Sequence, residues 1–209
     1  MKISYAVTVC NEFLEIQRLI TFLLKNKRPQ DEIVVLVDIT KNLPTSELLG
    51  YLHKLSSDNR INLVEDSFNG HFADWKNLLT SKCTGHFIFQ IDADEIPHEN
   101  LINSLPDLLE ENQIVDMIRV PRVNTVEGLT EEHIKRWGWN VNEKGWVNWA
   151  DWQMRIYKNT PEIKWINKVH EVLDGFKNHG MLPAEEEWAL YHPKTIERQE
   201  KQNNYYDTL

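Results

Sequence analysis

Four short apolar runs, three of them followed by a helix-like segment, constrain this chain more than any other feature. "KISYAVTVC" reads as a buried strand, and "EFLEIQRLITFLLKN" after it sets Phe13, Ile16, Leu19, Ile20 and Leu23 at helical spacing. "DEIVVLVD" is a second strand, and "TSELLGYLHKLSS" a second helix with Thr45 or Ser46 at its N-cap. "INLVED", "HFADWKNLLTSKC" and "HFIFQID" supply a third strand, a third helix and a fourth strand. The order β-α-β-α-β-α-β predicts an α/β fold, a mostly parallel sheet with helices on both faces. Ligands of such sheets sit beyond the carboxyl ends of the strands. At those ends stand Asn11 and Glu12, then Asp38, then Asp92 and Asp94.

From residue 98 the pattern changes. "ENLINSLPDLLEEN" reads as a helix and "VDMIRVPRV" as a strand, followed by a polar, Trp-rich segment over 124–152. Six of the eight tryptophans fall between Trp137 and Trp165, which marks an irregular half facing a substrate. The tail "TIERQEKQNNYYDTL" reads as a polar helix at the edge. At 209 residues a single domain is expected, with 1–97 as one half and 98–209 as the other.

Lys and Arg number 23 against 32 Asp and Glu, a net charge of −9, which argues against a nucleic-acid surface. A phosphate-bearing ligand would therefore need local cations or a metal. No run has the apolar length of a membrane span, and "MKISYAVTVCNE" lacks the pattern of a signal peptide, so a cytoplasmic location is expected. Cys10 and Cys83 are too few for a disulfide framework and read as free thiols. No G-x-x-x-x-G-K-[ST] or G-x-G-x-x-G loop occurs, which excludes the usual phosphate cradles of nucleoside triphosphatases and dinucleotide enzymes.

Asp92 and Asp94 are two apart, so in a strand their carboxylates share a face. Close like charges raise each other's pKa unless a cation intervenes. Mg²⁺ and Mn²⁺ suit such oxygens and suit diphosphates. A solvated strand end is the plainer reading of the same pair.

Taken together, the motifs resemble the GT-A glycosyltransferases, and among them family 2. "AVTVCNE" matches a strand ending in Thr-x-Asn-Glu, "IVVLVDITKN" a strand ending in Asp before a polar turn, and "FNGHFADWKN" an N-x-G-x-x-x-A-R-N segment. "FIFQIDADEIP" resembles the family's D-x-D strand. "DWQMRIYKN" with "IKWINKVHEVL" resembles the D-W-Q…V-H-E stretch of a bacterial subgroup that includes builders of lipopolysaccharide cores. The resemblance implies a GT-A fold and transfer of a sugar, with inversion, from a nucleoside-diphosphate donor, expected to be UDP-linked, to a glycan or other hydroxyl acceptor. It implies Thr8, Asn11, Glu12, Asp38, Lys76, Asn77, Asp92 and Ala93 around the nucleotide-sugar, with Lys76 standing where the family usually has Arg. It implies Mn²⁺ or Mg²⁺ on Asp94, with Asp92 and a later histidine, His170 or its competitor His192. Asp151 takes the place of the catalytic base, with Glu171 and then Glu95 as further candidates. A catalytically silent carbohydrate-binding protein and a metal-dependent nucleotidyltransferase are the alternatives on the same scaffold.

Tryptophan packs well on the apolar faces of sugars. Trp137, Trp139 and Trp149 are therefore candidates for acceptor binding, Trp146 is divided between contact and packing, and Trp152 and Trp165 are expected in the core. Arg119 and Arg122 are candidates for an anionic substrate group or for surface ion pairs. Glu95 is the acid most readily left to solvent or to a backbone cap.

Overall fold

A computed structural model of the chain describes residues 1–40 and 44–206, the side chains of 202–206 excepted. The polar turn expected after Asp38 and the end of the tail lie partly outside the described residues. The first half follows the expected alternation: β1 (Ile3–Val9), α1 (Phe13–Asn26), β2 (Glu32–Asp38), α2 (Ser46–Ser57), β3 (Asn62–Asp66), α3 (Phe72–Thr80) and β4 (Phe87–Asp92). β1 lies between β2 and β4, and β3 adds beyond β2, all parallel. The register pairs Thr8 with Asp92 and Asp38 with Asp66, which brings the polar strand ends to one edge.

Successive side chains of a strand point to opposite faces. Ile3, Tyr5, Val7, Val35 and Phe89 pack with Leu19 and Leu23 of α1 and Leu48 and Leu52 of α2. Ala6, Val34, Leu36 and Ile88 pack with Ala73, Trp75 and Leu79 of α3 on the other face. Burial on both faces is why these strands read as unbroken apolar runs. Thr45 caps α2 by accepting the Leu48 N–H at 3.2 Å. Gly85 enters β4 against β1, where a Cβ would stand 2.6 Å from Ser4 N, so no larger residue fits without a shift.

The second half comprises β5 (Ile96–Pro97), α4 (Glu99–Glu111), β6 (Met117–Val120), β7 (Arg122–Glu127), α5 (Glu131–Trp137), β8 (Gln153–Lys158), β9 (Lys164–Ile166), β10 (Val172–Asp174), β11 (His179–Met181), β12 (Leu190–Thr195) and α6 (Ile196–Tyr206). The run "VDMIRVPRV" is two strands rather than one. Pro121 has no N–H for a ladder, and the chain passes there from one sheet to another. The main core draws on both halves, with Leu101, Leu105, Ile118, Ile156 and Leu190 joining the residues of β1, β2 and β4.

The main sheet has the order β11-β6-β8-β4-β1-β2-β3. β8 runs antiparallel to both β4 and β6. Its beginning therefore meets the edge at which β4 and β6 end, and Gln153 pairs with Val120 there. That reversal carries Asp151 and Trp152 to the polar edge. A smaller sheet, β5-β12-β7, sets His192 opposite Asn124 and Tyr191 opposite Ile96, which places His192 beside the exit of β4. No helix among the described residues is long and apolar enough to cross a membrane.

Candidate functional site

A cleft of about 1090 Å³ opens over this edge. Thr8, Asn11, Glu12 and Asp38 line it from the ends of β1 and β2, Lys76 from α3, and Asp92, Ala93 and Asp94 from the end of β4. Trp139, Asp151 and His170 close it from the second half, so most of the residues singled out in the sequence meet in one place. The Glu12 carboxylate accepts the N–H groups of Cys10 at 2.9 Å and Asn11 at 3.0 Å, which fixes the turn after β1. Asp38 Oδ1 accepts from Thr40 N, Thr40 Oγ1 and Phe68 N at 2.8, 2.6 and 3.1 Å and so orders two loops at the cleft wall.

The floor is a line of charges that alternate in sign. Arg122 donates to Asp151 Oδ2 from Nε at 3.0 Å and from Nη2 at 2.7 Å, while its Nη1 donates to Glu95 at 3.1 Å. Arg155 Nη2 donates to Glu95 and to Asp92, both at 2.6 Å. Lys76 continues the line, 3.9 Å from Asp92 and 2.6 Å from Glu171. Glu95 is fully buried and also accepts the Asp92 N–H at 3.1 Å. The cap foreseen for Glu95 is present, but the acid is not left to solvent. Two guanidinium groups hold it in the interior, where a lone carboxylate would be too costly.

These contacts decide the ionisation of the acids. Burial pushes Asp151 up, but the charge of Arg122 and hydrogen bonds from Asn124 and Arg122 prevail and hold it below the usual carboxylate range. Burial likewise opposes Asp92, and Arg155 and Lys76 keep it well below that range. Asp94 is held at about 2, where burial is outweighed by the hydrogen bond and charge of His192.

Asp94 Oδ2 lies 3.3 Å from His192 Nε2. His192 Nδ1 is 2.7 Å from the amide oxygen of Asn124, which fixes that nitrogen as a donor and turns Nε2 to Asp94. Among the described residues no three His, Cys, Asp or Glu side chains converge as a metal cage. One carboxylate and one imidazole nevertheless suit Mg²⁺ or Mn²⁺ at a diphosphate, where the phosphates and water supply most of the oxygens. His170 lines the same cleft in a left-handed conformation, φ 53°.

Three expected contacts lie elsewhere. Both ends of the Asn77 amide are taken by the backbone of Trp165, Nδ2 donating to its oxygen at 2.8 Å and Oδ1 accepting its N–H at 2.9 Å. Asn77 thus clamps β9 to α3. Trp137 stacks on His133 and lies tilted against Trp139, and Trp149 packs edge-on against Trp146, so that Trp137 and Trp149 are both outside the cleft lining. Trp165 is buried as expected, but Trp152 is 37% exposed and lines the cleft, because the antiparallel entry of β8 turns it to the edge. Arg155, though inside the quoted "DWQMR", carried no role in the sequence reading. Its partners lie 60 and 63 residues away and leave no local pattern.

A family model described as glycosyl transferase family 2 matches residues 4–173. The chain belongs to glycosyl transferase family 2. Among solved structures the family 2 chain is similar to S. aureus TarS 1-349, with 16% identity and a TM-score of 0.62 over 92% of this chain and 60% of that one. The same protein in complex with UDP-GlcNAc gives 17% identity and a TM-score of 0.63 over 93% and 59%. Its complex with UDP gives 16% and 0.60 over 92% and 60%. The chain thus spans about 60% of the length of these structures, and at this identity the likeness is one of fold. No curated protein sequence matches the chain. The family 2 fold agrees with the mixed sheet and its helical layers.

Proposed function

We propose that this family 2 chain moves a sugar from a nucleoside-diphosphate donor, UDP-linked, to a hydroxyl of a glycan or similar acceptor, with a divalent cation and with inversion. The observation that carries the reading is the meeting, in one cleft, of the Asp94–His192 pair with Asp151 across a floor of alternating charge. The TarS complexes with UDP and UDP-GlcNAc support the choice of nucleotide.

Thr8, Asn11, Glu12 and Asp38 form the wall for base and ribose. Mn²⁺ or Mg²⁺ held by Asp94 and His192 would neutralise the charge that develops on the leaving diphosphate. Asp151, already ionised, takes the acceptor hydroxyl proton as the acceptor oxygen bonds to the anomeric carbon and the bond from that carbon to the diphosphate oxygen breaks. Its Oδ2 is loaded by Arg122 and Asn124, whereas Oδ1 accepts from Gln153 at 2.7 Å, which leaves Oδ1 the better seat for the proton. The acid stays in place because the same donors hold it.

The test is incubation with a panel of UDP-sugars and Mn²⁺, with and without glycan acceptors, reading the nucleotide product. UDP release supports the reading. Release of sugar 1-phosphate would assign the chain to nucleotidyl transfer, and binding without turnover to a silent carbohydrate binder.

A further inference from the structure

Arg198, on the first turn of α6, reaches three acids from three segments. Its Nη2 lies 3.2 Å from Asp94 Oδ2 and 3.4 Å from Glu12 Oε1, and its Nη1 lies 3.2 Å from Glu15 Oε1. The Asp94 oxygen it meets is the one that faces His192. α6 follows β12 directly, so this one side chain ties the helix across the cleft mouth to the turn after β1 and to the exit of β4.

A divalent cation on a carboxylate sits about 2.0–2.6 Å from its oxygen, so one on Asp94 Oδ2 would stand within about 6 Å of the Arg198 nitrogen. Two cations that close, in a half-buried cleft, repel strongly. We propose that Arg198 is a resident counter-cation of Asp94 which the divalent cation displaces, so that metal binding and the tie of α6 to Asp94 oppose each other. The inference rests on the metal part of the reading above. The divalent cation binds against Arg198, and on binding it leaves that side chain paired with Glu12 and Glu15. Coupling of this kind is reciprocal: whatever loosens α6 from Asp94 tightens the cation.

Titration of the full chain with Mn²⁺ alone, followed by the spin resonance signal of free Mn²⁺, tests this without any turnover. Arg198→Gln should bind Mn²⁺ more tightly than the wild type, by roughly tenfold. Arg198→Lys, which keeps the charge, should stay near the wild type. In parallel, Mn²⁺ should speed amide exchange along α6 of the wild type and leave that of Arg198→Gln unchanged. Equal or weaker Mn²⁺ binding by Arg198→Gln overturns the proposal while leaving the metal reading in place. Absence of Mn²⁺ binding in wild type and variant alike overturns the proposal, and absence of Mn²⁺-dependent UDP binding as well overturns the metal reading.

Discussion

Arg122 grips one oxygen of Asp151 with two nitrogens, Nε at 3.0 Å and Nη2 at 2.7 Å. A forked contact of this kind fixes both the position and the charge of the carboxylate. Asp151→Asn keeps the shape and removes the proton acceptor. Transfer should fall by about 10²–10⁴-fold while UDP affinity, read by calorimetry, stays unchanged. Lost UDP binding would instead assign Asp151 to the donor site.

The far end of the same guanidinium meets Glu95, which Arg155 also holds. Removing this buried acid leaves two arginines without their shared counter-charge. Glu95→Ala should lower the free energy of urea unfolding by about 3–5 kcal/mol, and Glu95→Gln, which keeps an acceptor oxygen, by less. A loss below about 1 kcal/mol, the worth of an exposed pair, would show that the line of charges does not hold the floor together.

Asn77 presents a choice between ligand and clamp. Because its amide satisfies both backbone groups of Trp165, Asn77→Ala should cost about 1–3 kcal/mol of stability and leave UDP affinity as it was. Weaker UDP binding with unaltered stability would return Asn77 to the nucleotide.

At the opposite end of the sheet, burial pushes Glu32 up, but hydrogen bonds from Lys2, Ser4 and Thr84 prevail and hold it at about 2. Its pKa in the unfolded chain is about 4.3. A carboxylate depressed on folding contributes stability that is present above the unfolded value and lost as pH falls through the folded one. The gap in unfolding free energy between wild type and Glu32→Gln should therefore be constant near neutrality and shrink as pH falls from about 4.3 towards 2. A gap that stays constant over that window would mean the hydrogen bonds do not favour the charged form.

The sheet was legible because Ile33–Val37 and Phe87–Phe89 are covered on both faces, which writes them as unbroken apolar runs. The shared edge of Thr8, Asp38 and Asp92 follows from parallel pairing alone. What depends on the second half was harder to read. Pro121 splits a continuous apolar run between two sheets, and β8 enters antiparallel, and neither follows from periodicity. The split sets Arg122 and the entry sets Arg155 against Glu95, 27 and 60 residues away, and the entry turns Trp152 outward. His170 stood in the more suggestive sequence context, but the pairing of β12 with β5 and β7, invisible in the residues themselves, sets His192 against Asp94.

Calorimetric titration of UDP into the wild type and Asp94→Asn, both with Mn²⁺ present, tests most directly whether this cleft is the donor site. A donor site there should take one UDP per wild-type chain, with an affinity at least about tenfold lower in the variant, the scale of a lost metal contact. Equal affinity in the two proteins, or no binding to the wild type, would contradict it.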